Sequence, residues 1–256
     1  MPFGYVPNKT PWKNAFLKIF GLTNISRRLQ APVIMRMLDP QEKDIVLDGG
    51  CGNGAFTYEI AKKCFCIGID WFISNNLLYV MKKSPQISFL KADIQNFPFS
   101  DCVFDKILLS SVLQMVENDG LLIKECNRVI KENGIMVLSV PSDYIFVKAL
   151  NNEFRTGLME KYGVKGKGFY KYNDLIELLQ DRGFEILETE YAPKKFGSFI
   201  HEIWLYFCYR FGLPLSHPIY FVFFYPIAIL DRLGSKKQKG YSIIIKARKK
   251  LAIKNF

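Results

Sequence analysis

The chain has 256 residues, a formal net charge of +11 and 49% apolar residues, a length that suits one large domain or two small ones. Its apolar fraction and 15% aromatics exclude a disordered chain, and ordinary glycine and proline contents exclude a collagen-like one. Six cysteines are too few for a disulfide scaffold; they are expected as buried free thiols in a reducing cytosol.

Residues 1–38 carry +6, residues 39–193 carry −5 and residues 194–256 carry +10. A mildly acidic middle between two basic ends points to a polyanionic partner, either nucleic acid or an anionic membrane surface. The opening MPFGYVPNKTPWKN places prolines and polar residues where a signal peptide needs an apolar run, so the expected location is the cytosol or its membrane face. Residues 1–38 read as a basic N-terminal arm or cap.

From Asp44 the chain alternates strands and helices. Asp44–Asp48, Cys64–Asp70, Ile87–Ala92, Phe104–Leu109 and Gly134–Val140 read as strands. Gly54–Lys63, Trp71–Lys83 and Gly120–Lys131 read as the helices between them. Cys64 and Cys66 share one strand face, with no further His or Cys nearby to complete a zinc site. Apolar strands alternating with helices imply a parallel sheet covered on both faces, doubly wound by right-handed crossovers. Past Pro141, Tyr172–Arg182 reads as an amphipathic helix, Phe184–Glu190 as a sixth strand and Tyr241–Arg248 as a seventh. The expected core is therefore 39–193 plus 240–256, with 194–239 as an insert.

The segment after the first strand reads Asp48-Gly49-Gly50-Cys51-Gly52-Asn53-Gly54. Glycines at 50, 52 and 54 permit a tight turn and close approach to a ligand, ahead of a helix N-terminus. The same residues fit a dinucleotide fingerprint, Gly50-x-Gly52-x-x-Ala55 with Asp70 twenty residues on, and a purely structural turn also uses such glycines. Asp48 weighs against a pyrophosphate, which it would repel, and favours a cationic ligand group.

Val46–Gly54 resembles the first motif, VLDxGCGxG, of a large subgroup of class I S-adenosylmethionine-dependent methyltransferases. Ile69-Asp70, the stretch Ala92–Phe99 with Phe104-Asp105, and Asn127–Gly134 resemble that family's next three elements, in the family's order. Glu132 and Asn133 replace the usual Pro-Gly before strand five. The resemblance implies a Rossmann-like, seven-stranded, mostly parallel sheet with an antiparallel last strand and a helical lid. It implies S-adenosylmethionine as cofactor, S-adenosylhomocysteine as product, and no metal. By resemblance, Asp48 orients the methionine amino group, and Gly50, Cys51, Gly52 and Gly54 belong to the loop under the nucleoside. Asp70 takes the ribose hydroxyls, with Trp71 beside it. Asp93 and Ile94 read the adenine, and Ser110 lies where a backbone carbonyl meets the amino group. Many relatives carry His near position 114; here Gln114 cannot be a base at neutral pH. Catalytic residues are not assigned. His201, His217, Asp143 and Tyr144 are the candidate bases, each more readily read as a surface or lid-packing residue.

Strand six should run parallel to the others, so the insert after it leaves from the ligand edge. Phe211–Leu230 has no formally charged residue over twenty positions, yet it contains Pro214, Pro218 and Pro226. Flanking Lys and Arg with Trp204, Tyr206, Tyr209, Tyr220 and Tyr225 favour helices lying in an anionic membrane interface. A packed lid and a true span are the other readings. A lipid-borne or membrane-associated acceptor follows: an isoprenoid quinone precursor, or a lipid-linked or glycolipid head group. A soluble small-molecule or polysaccharide O-methyltransferase is the alternative. A nucleic-acid methyltransferase is disfavoured, because the basic residues interleave with an apolar run and no base-methylation tetrad follows strand four.

Overall fold

The computed structural model describes residues 9–11, 25–147, 152–161, 163–212, 230–233 and 238–251. In chain order they form α1 (Ile25–Leu38), β1 (Ile45–Gly49), α2 (Ala55–Ile60), β2 (Phe65–Asp70), α3 (Asn75–Met81), β3 (Ile87–Lys91) and β4 (Phe104–Ser110). A 3₁₀ turn, Leu113–Met115, precedes α4 (Asp119–Val129) and β5 (Ile130–Pro141). Then come α5 (Asn152–Lys161), α6 (Tyr172–Asp181), β6 (Phe184–Tyr191), α7 (Lys195–Phe211), a second 3₁₀ turn at Leu230–Leu233, and β7 (Ser242–Lys249).

The seven strands form one sheet in the order β3-β2-β1-β4-β5-β7-β6. β1 to β5 pair in parallel, while β7 runs antiparallel to both β5 and β6. β6 is therefore parallel to the rest, and its carboxyl end at Tyr191 lies at the same edge as those of β1 and β4. The alternation of side chains across the strands divides the core. Leu47 and Leu138 face a cluster with Leu122, Ile123 and Cys126 of α4 and Leu175 and Leu179 of α6. Val46 and Val137 face the opposite cluster, with Ile34 of α1, Phe56 of α2 and Leu77 of α3. A sheet covered on both faces explains why its strands read as continuous apolar runs.

Three boundaries differ from the sequence expectation. Trp71–Ser74 is not helical; Ser74 caps α3 by accepting the Leu77 N–H at 3.3 Å, which starts the helix at Asn75. α4 stops at Val129, because Ile130 adopts extended backbone and pairs with Phe104. β5 then passes an irregularity and Asn133 at φ +61° before its register with Lys106 resumes at Ile135. Cys102 departs from the buried-thiol expectation: it is exposed, in a turn at φ +57°. The other five cysteines are buried and free.

The basic arm includes α1, which packs against β5 and β7 and buries Ala31, Ile34, Met37 and Leu38. Within 194–239, α7 has an inner face of Ser198, His201, Trp204, Leu205 and Cys208, all buried. Asp231 accepts the N–H groups of Lys194 and Gly197 at its start, holding the second 3₁₀ turn against it. Glu202 of α7 accepts the Phe146 and Val147 N–H groups at 3.0 and 2.7 Å, tying the loop after β5 to the insert. Apart from Phe211, Gly212 and Leu230, the run Phe211–Leu230 lies outside the described residues, as does His217. Among the described residues, no helix is long and apolar enough to cross a membrane.

Candidate active site

The order of the sheet reverses between β1 and β4, which opens a crevice beyond their carboxyl ends. The glycine loop leaves β1 there. The Gly50 and Cys51 N–H groups both donate to the Ile69 carbonyl, at 2.7 and 2.9 Å, folding the loop back onto the end of β2. Gly50 sits at φ +71°, and a Cβ there would meet Val112 Cγ2 at 2.4 Å. Only glycine fits this combination of left-handed backbone and close approach. The Gly52 N–H donates to Asp70 Oδ2 at 2.8 Å, so the loop and the acid ending β2 are joined. Above them lies a cavity of about 730 Å³.

Of the candidates from the sequence, Gly50, Gly52, Asp70, Trp71, Asp93 and Ile94 line this cavity. Trp71 is 75% exposed at its rim, with Lys165 Nζ 5.9 Å from the ring centroid. Asp93 Oδ1 accepts the Gln95 N–H at 2.9 Å, shaping the turn that brings Ile94 to the wall. The remaining candidates stand behind the wall. A Cβ on Gly54 would meet Leu77 and Phe89, so its open side faces packed core. Cys51 is buried in that core, and desolvation pushes its thiol well above the ordinary range. Ser110 ends β4 with its hydroxyl buried and without a partner among the described residues.

Asp48 is 2% exposed and accepts the Thr57 hydroxyl at 2.6 Å. Burial pushes its carboxyl up to about 6, against the opposing pull of the Thr57 hydrogen bond and the Arg27 charge. Arg27 lines the cavity and feels the charges of both Asp48 and Asp70, while burial lowers its affinity for the proton.

Among the wall residues that the sequence reading did not single out are Arg27, Ser111 and Met115. Ser111 sits at φ +56°, a conformation that non-glycine side chains rarely adopt and that recurs at functional sites. Its N–H donates to the Ser139 carbonyl at 2.9 Å, which fixes the turn out of β4. Nothing in the local sequence marks it. Arg27 reaches the site only because α1 packs across the sheet.

A second chamber of about 250 Å³ shares Arg27, Ser111 and Met115 with the first. Gln114 and His201 line it, and the His201 ring stands edge-on to Tyr241 at 4.5 Å. Desolvation lowers the imidazole to about 4, so His201 is neutral near pH 7 and poorly matched to general-base work. Asp143 and Tyr144 are exposed and belong to neither wall. No group of three His, Cys, Asp or Glu that could hold a metal ion occurs among the described residues.

The cavity's donor set suits a nucleoside joined to an amino acid. A carboxylate sits at each of two strand ends, an arginine stands opposite, and the glycine loop offers an open surface where Gly52 has nothing within 4 Å of a Cβ. Comparison with known proteins agrees. Residues 47–138 match the family model described as a methyltransferase domain. The chain is 28% identical over 176 residues to a demethylmenaquinone methyltransferase of Staphylococcus saprophyticus, covering 64% of this chain and 73% of that one. It is 26% identical over 183 residues to a ubiquinone biosynthesis O-methyltransferase of Rickettsia typhi, covering 67% and 74%. The fold matches the Burkholderia thailandensis 1,6-didemethyltoxoflavin-N1-methyltransferase, solved with S-adenosylhomocysteine, at TM-score 0.56 and 12% identity over 95% of this chain and 82% of that one. With its glycine loop, strand-end acids and sheet order, the chain carries a methyltransferase domain over residues 47–138 and is similar to class I S-adenosylmethionine-dependent methyltransferases.

Proposed function

We propose that this chain transfers a methyl group from S-adenosylmethionine to a lipid-borne acceptor of the isoprenoid quinone-precursor kind. The observation that carries the cofactor half is the joining of Gly52 to Asp70 beneath the larger cavity. That bond uses one oxygen of Asp70, and the carboxylate retains lone pairs for charge-assisted bonds to ribose hydroxyls. Asp93 and Ile94 serve the adenine edge from the next strand end. Arg27 supplies a cation for the methionine carboxylate, and Asp48, behind the loop, supplies negative potential for the ammonium group. S-adenosylmethionine brings a methyl group on a sulfonium, an electrophile that needs no activation by the protein. The chain has then to align the acceptor with it and exclude water.

The lipid half rests on α7. Phe196, Phe199, Tyr206, Phe207 and Phe211 recur at helical spacing on the side opposite the buried face, and Phe196 and Phe211 are 64% and 63% exposed. A helix apolar on both sides needs a second apolar environment. Lys195 and Arg210, exposed near its two ends, are each able to add about 1 kcal/mol near an anionic surface. α7 leaves the sheet at the ligand edge, and two of the relatives are quinone-pathway methyltransferases by name. The same features fit a peripheral protein of the cytosolic membrane face.

Calorimetry with S-adenosylhomocysteine tests the cofactor half. Micromolar binding is expected, with no binding of NAD. Asp70→Ala should weaken it by about 1.5–3 kcal/mol, the range for hydrogen bonds to a charged group. Sedimentation with anionic vesicles tests the lipid half. Binding should weaken with salt and fall when Phe196, Phe207 and Phe211 are replaced by Ser. Protein that stays in the supernatant at low salt would transfer the reading to a soluble acceptor.

A further inference from the structure

The chain between α5 and α6 forms a strap that reaches across the mouth of the larger cavity. Both of its ends are fastened. On the α5 side, Lys161 Nζ donates to the Cys208 carbonyl of α7 at 2.8 Å. On the α6 side, the Tyr170 N–H donates to the Pro141 carbonyl at 2.9 Å, and the buried Tyr170 hydroxyl donates to the Leu113 carbonyl at 3.2 Å. Between these ends, Gly163 and Lys165 line the cavity. Lys165 reaches Trp71, which follows β2, and its Nζ lies 5.9 Å from the ring centroid. β2 and β4 flank β1 in the sheet, so the strap spans the crevice from one side to the other.

The contacts that hold the middle of the strap down are few and open to water. The Gly166 N–H donates to the Gln114 carbonyl at 3.1 Å. Lys167 pairs with Asp119 at 3.0 Å, while Lys165 Nζ stays 3.9 Å from Glu117, both of these last side chains being exposed. Exposed ion pairs and cation–π contacts each contribute little. Gly163 at φ +64° and Gly168 at φ +74° bracket the segment, at positions that can absorb the backbone rotation of a hinge. The seat itself is specific. A Cβ on Gly166 would meet the Val116 carbonyl oxygen at 2.4 Å and the Gln114 carbonyl oxygen at 2.9 Å, so the strap lies on the turn after β4 with no room for a side chain. Firm ends, a weakly latched middle and a close-fitting seat over a cofactor-sized cavity are the construction of a cover.

We propose that Gly163–Lys167 is a movable cover of the cofactor cavity, which lifts to admit S-adenosylmethionine and closes over it with Lys165 against Trp71 and Gly166 seated on the turn after β4. The proposal rests on the cofactor half of the reading above and adds to it the step that governs entry and release. Closed, the cover keeps water from the sulfonium. Val164 and Phe169 of the same strap line the second chamber, so its closure shapes both chambers at once. Lys165 is a latch: it acts on how long the cofactor stays and not on the transfer of the methyl group.

The test uses S-adenosylhomocysteine as the probe and the full chain as wild type, Lys165→Ala and Gly166→Ala. Surface plasmon resonance gives association and dissociation rates, and hydrogen exchange read by mass spectrometry follows the amides of 163–167 with and without the probe. The probe should slow exchange at 163–167 in wild type. Dissociation should be about three- to tenfold faster from Lys165→Ala, with association little changed. From Gly166→Ala, whose methyl group keeps the strap off its seat, it should be at least about tenfold faster. Raising salt should speed dissociation from wild type more than from Lys165→Ala, because the Lys165–Glu117 pair is screened. If Gly166→Ala fails to fold by circular dichroism, Lys165→Ala, a change at an exposed side chain, and the exchange measurement still decide the question. Exchange at 163–167 that the probe does not slow, or dissociation from Lys165→Ala at the wild-type rate, would overturn the cover and leave the cofactor reading standing. A wild type that does not bind the probe at all would overturn both.

Discussion

Asp48→Asn separates the energetic cost of the site from its use. Asp48 is 2% exposed, and burial moves its carboxyl from 3.8 up to about 6. A carboxyl with a raised folded value favours the folded state while it is protonated. That stability is complete below about pH 4 and is lost as pH rises through about 6. Asparagine has no charge to bury, and its amide oxygen can still accept the Thr57 hydroxyl. The variant should therefore be more stable than wild type by about 0.5 kcal/mol at pH 4, growing to about 3 kcal/mol at pH 8. Taking the difference between the two proteins removes the contribution of most other titrating groups. Urea unfolding at several pH values reads it directly, from midpoints at unchanged slope. The gain in stability should come with weaker binding of S-adenosylhomocysteine, since the negative potential behind the loop is gone. A stability difference that stays flat between pH 4 and pH 8 would refute the reasoning.

Gly50→Ala should cost at least about 2 kcal/mol of stability, from the left-handed backbone and the overlap with Val112. Combining it with Val112→Ala should recover the overlap part, as measured by a double-mutant cycle in thermal unfolding. Trp204→Ala should cost about 3–5 kcal/mol in chemical denaturation. A cost below 1 kcal/mol would mean that α7 is a detachable lid and not part of the core.

The strands and the glycine loop were legible because both rest on local chemistry. Val46-Leu47 and Val137-Leu138 are apolar on both faces, and a close turn over Val112 needs the glycine at 50. Asp70 and Asp93 were found because acids at strand ends come to one edge in any doubly wound sheet. What was missed depends on packing between segments distant in sequence. α1 was read as part of a basic arm or cap and not as a core helix, because Pro32 and its polar residues hide its apolar side, and with it went Arg27 and Gln30. α5 was passed over as connecting chain. Gln114 was recognised as unable to take a proton, and its place beside His201 depends on α7 meeting the turn after β4 around the second chamber. Asp48 was expected among the ligand contacts and lies beneath them, held by Thr57 one helix turn away from the loop.

Methyl transfer itself gives the most direct measurement. The full chain is incubated with methyl-labelled S-adenosylmethionine and a membrane lipid extract, and the label is followed into the organic phase by mass spectrometry. The expected result is label on a ring-bearing lipid, reduced at least tenfold by Asp70→Ala. Label found solely on water-soluble molecules, or transfer to lipid that Asp70→Ala leaves unaffected, would contradict the account.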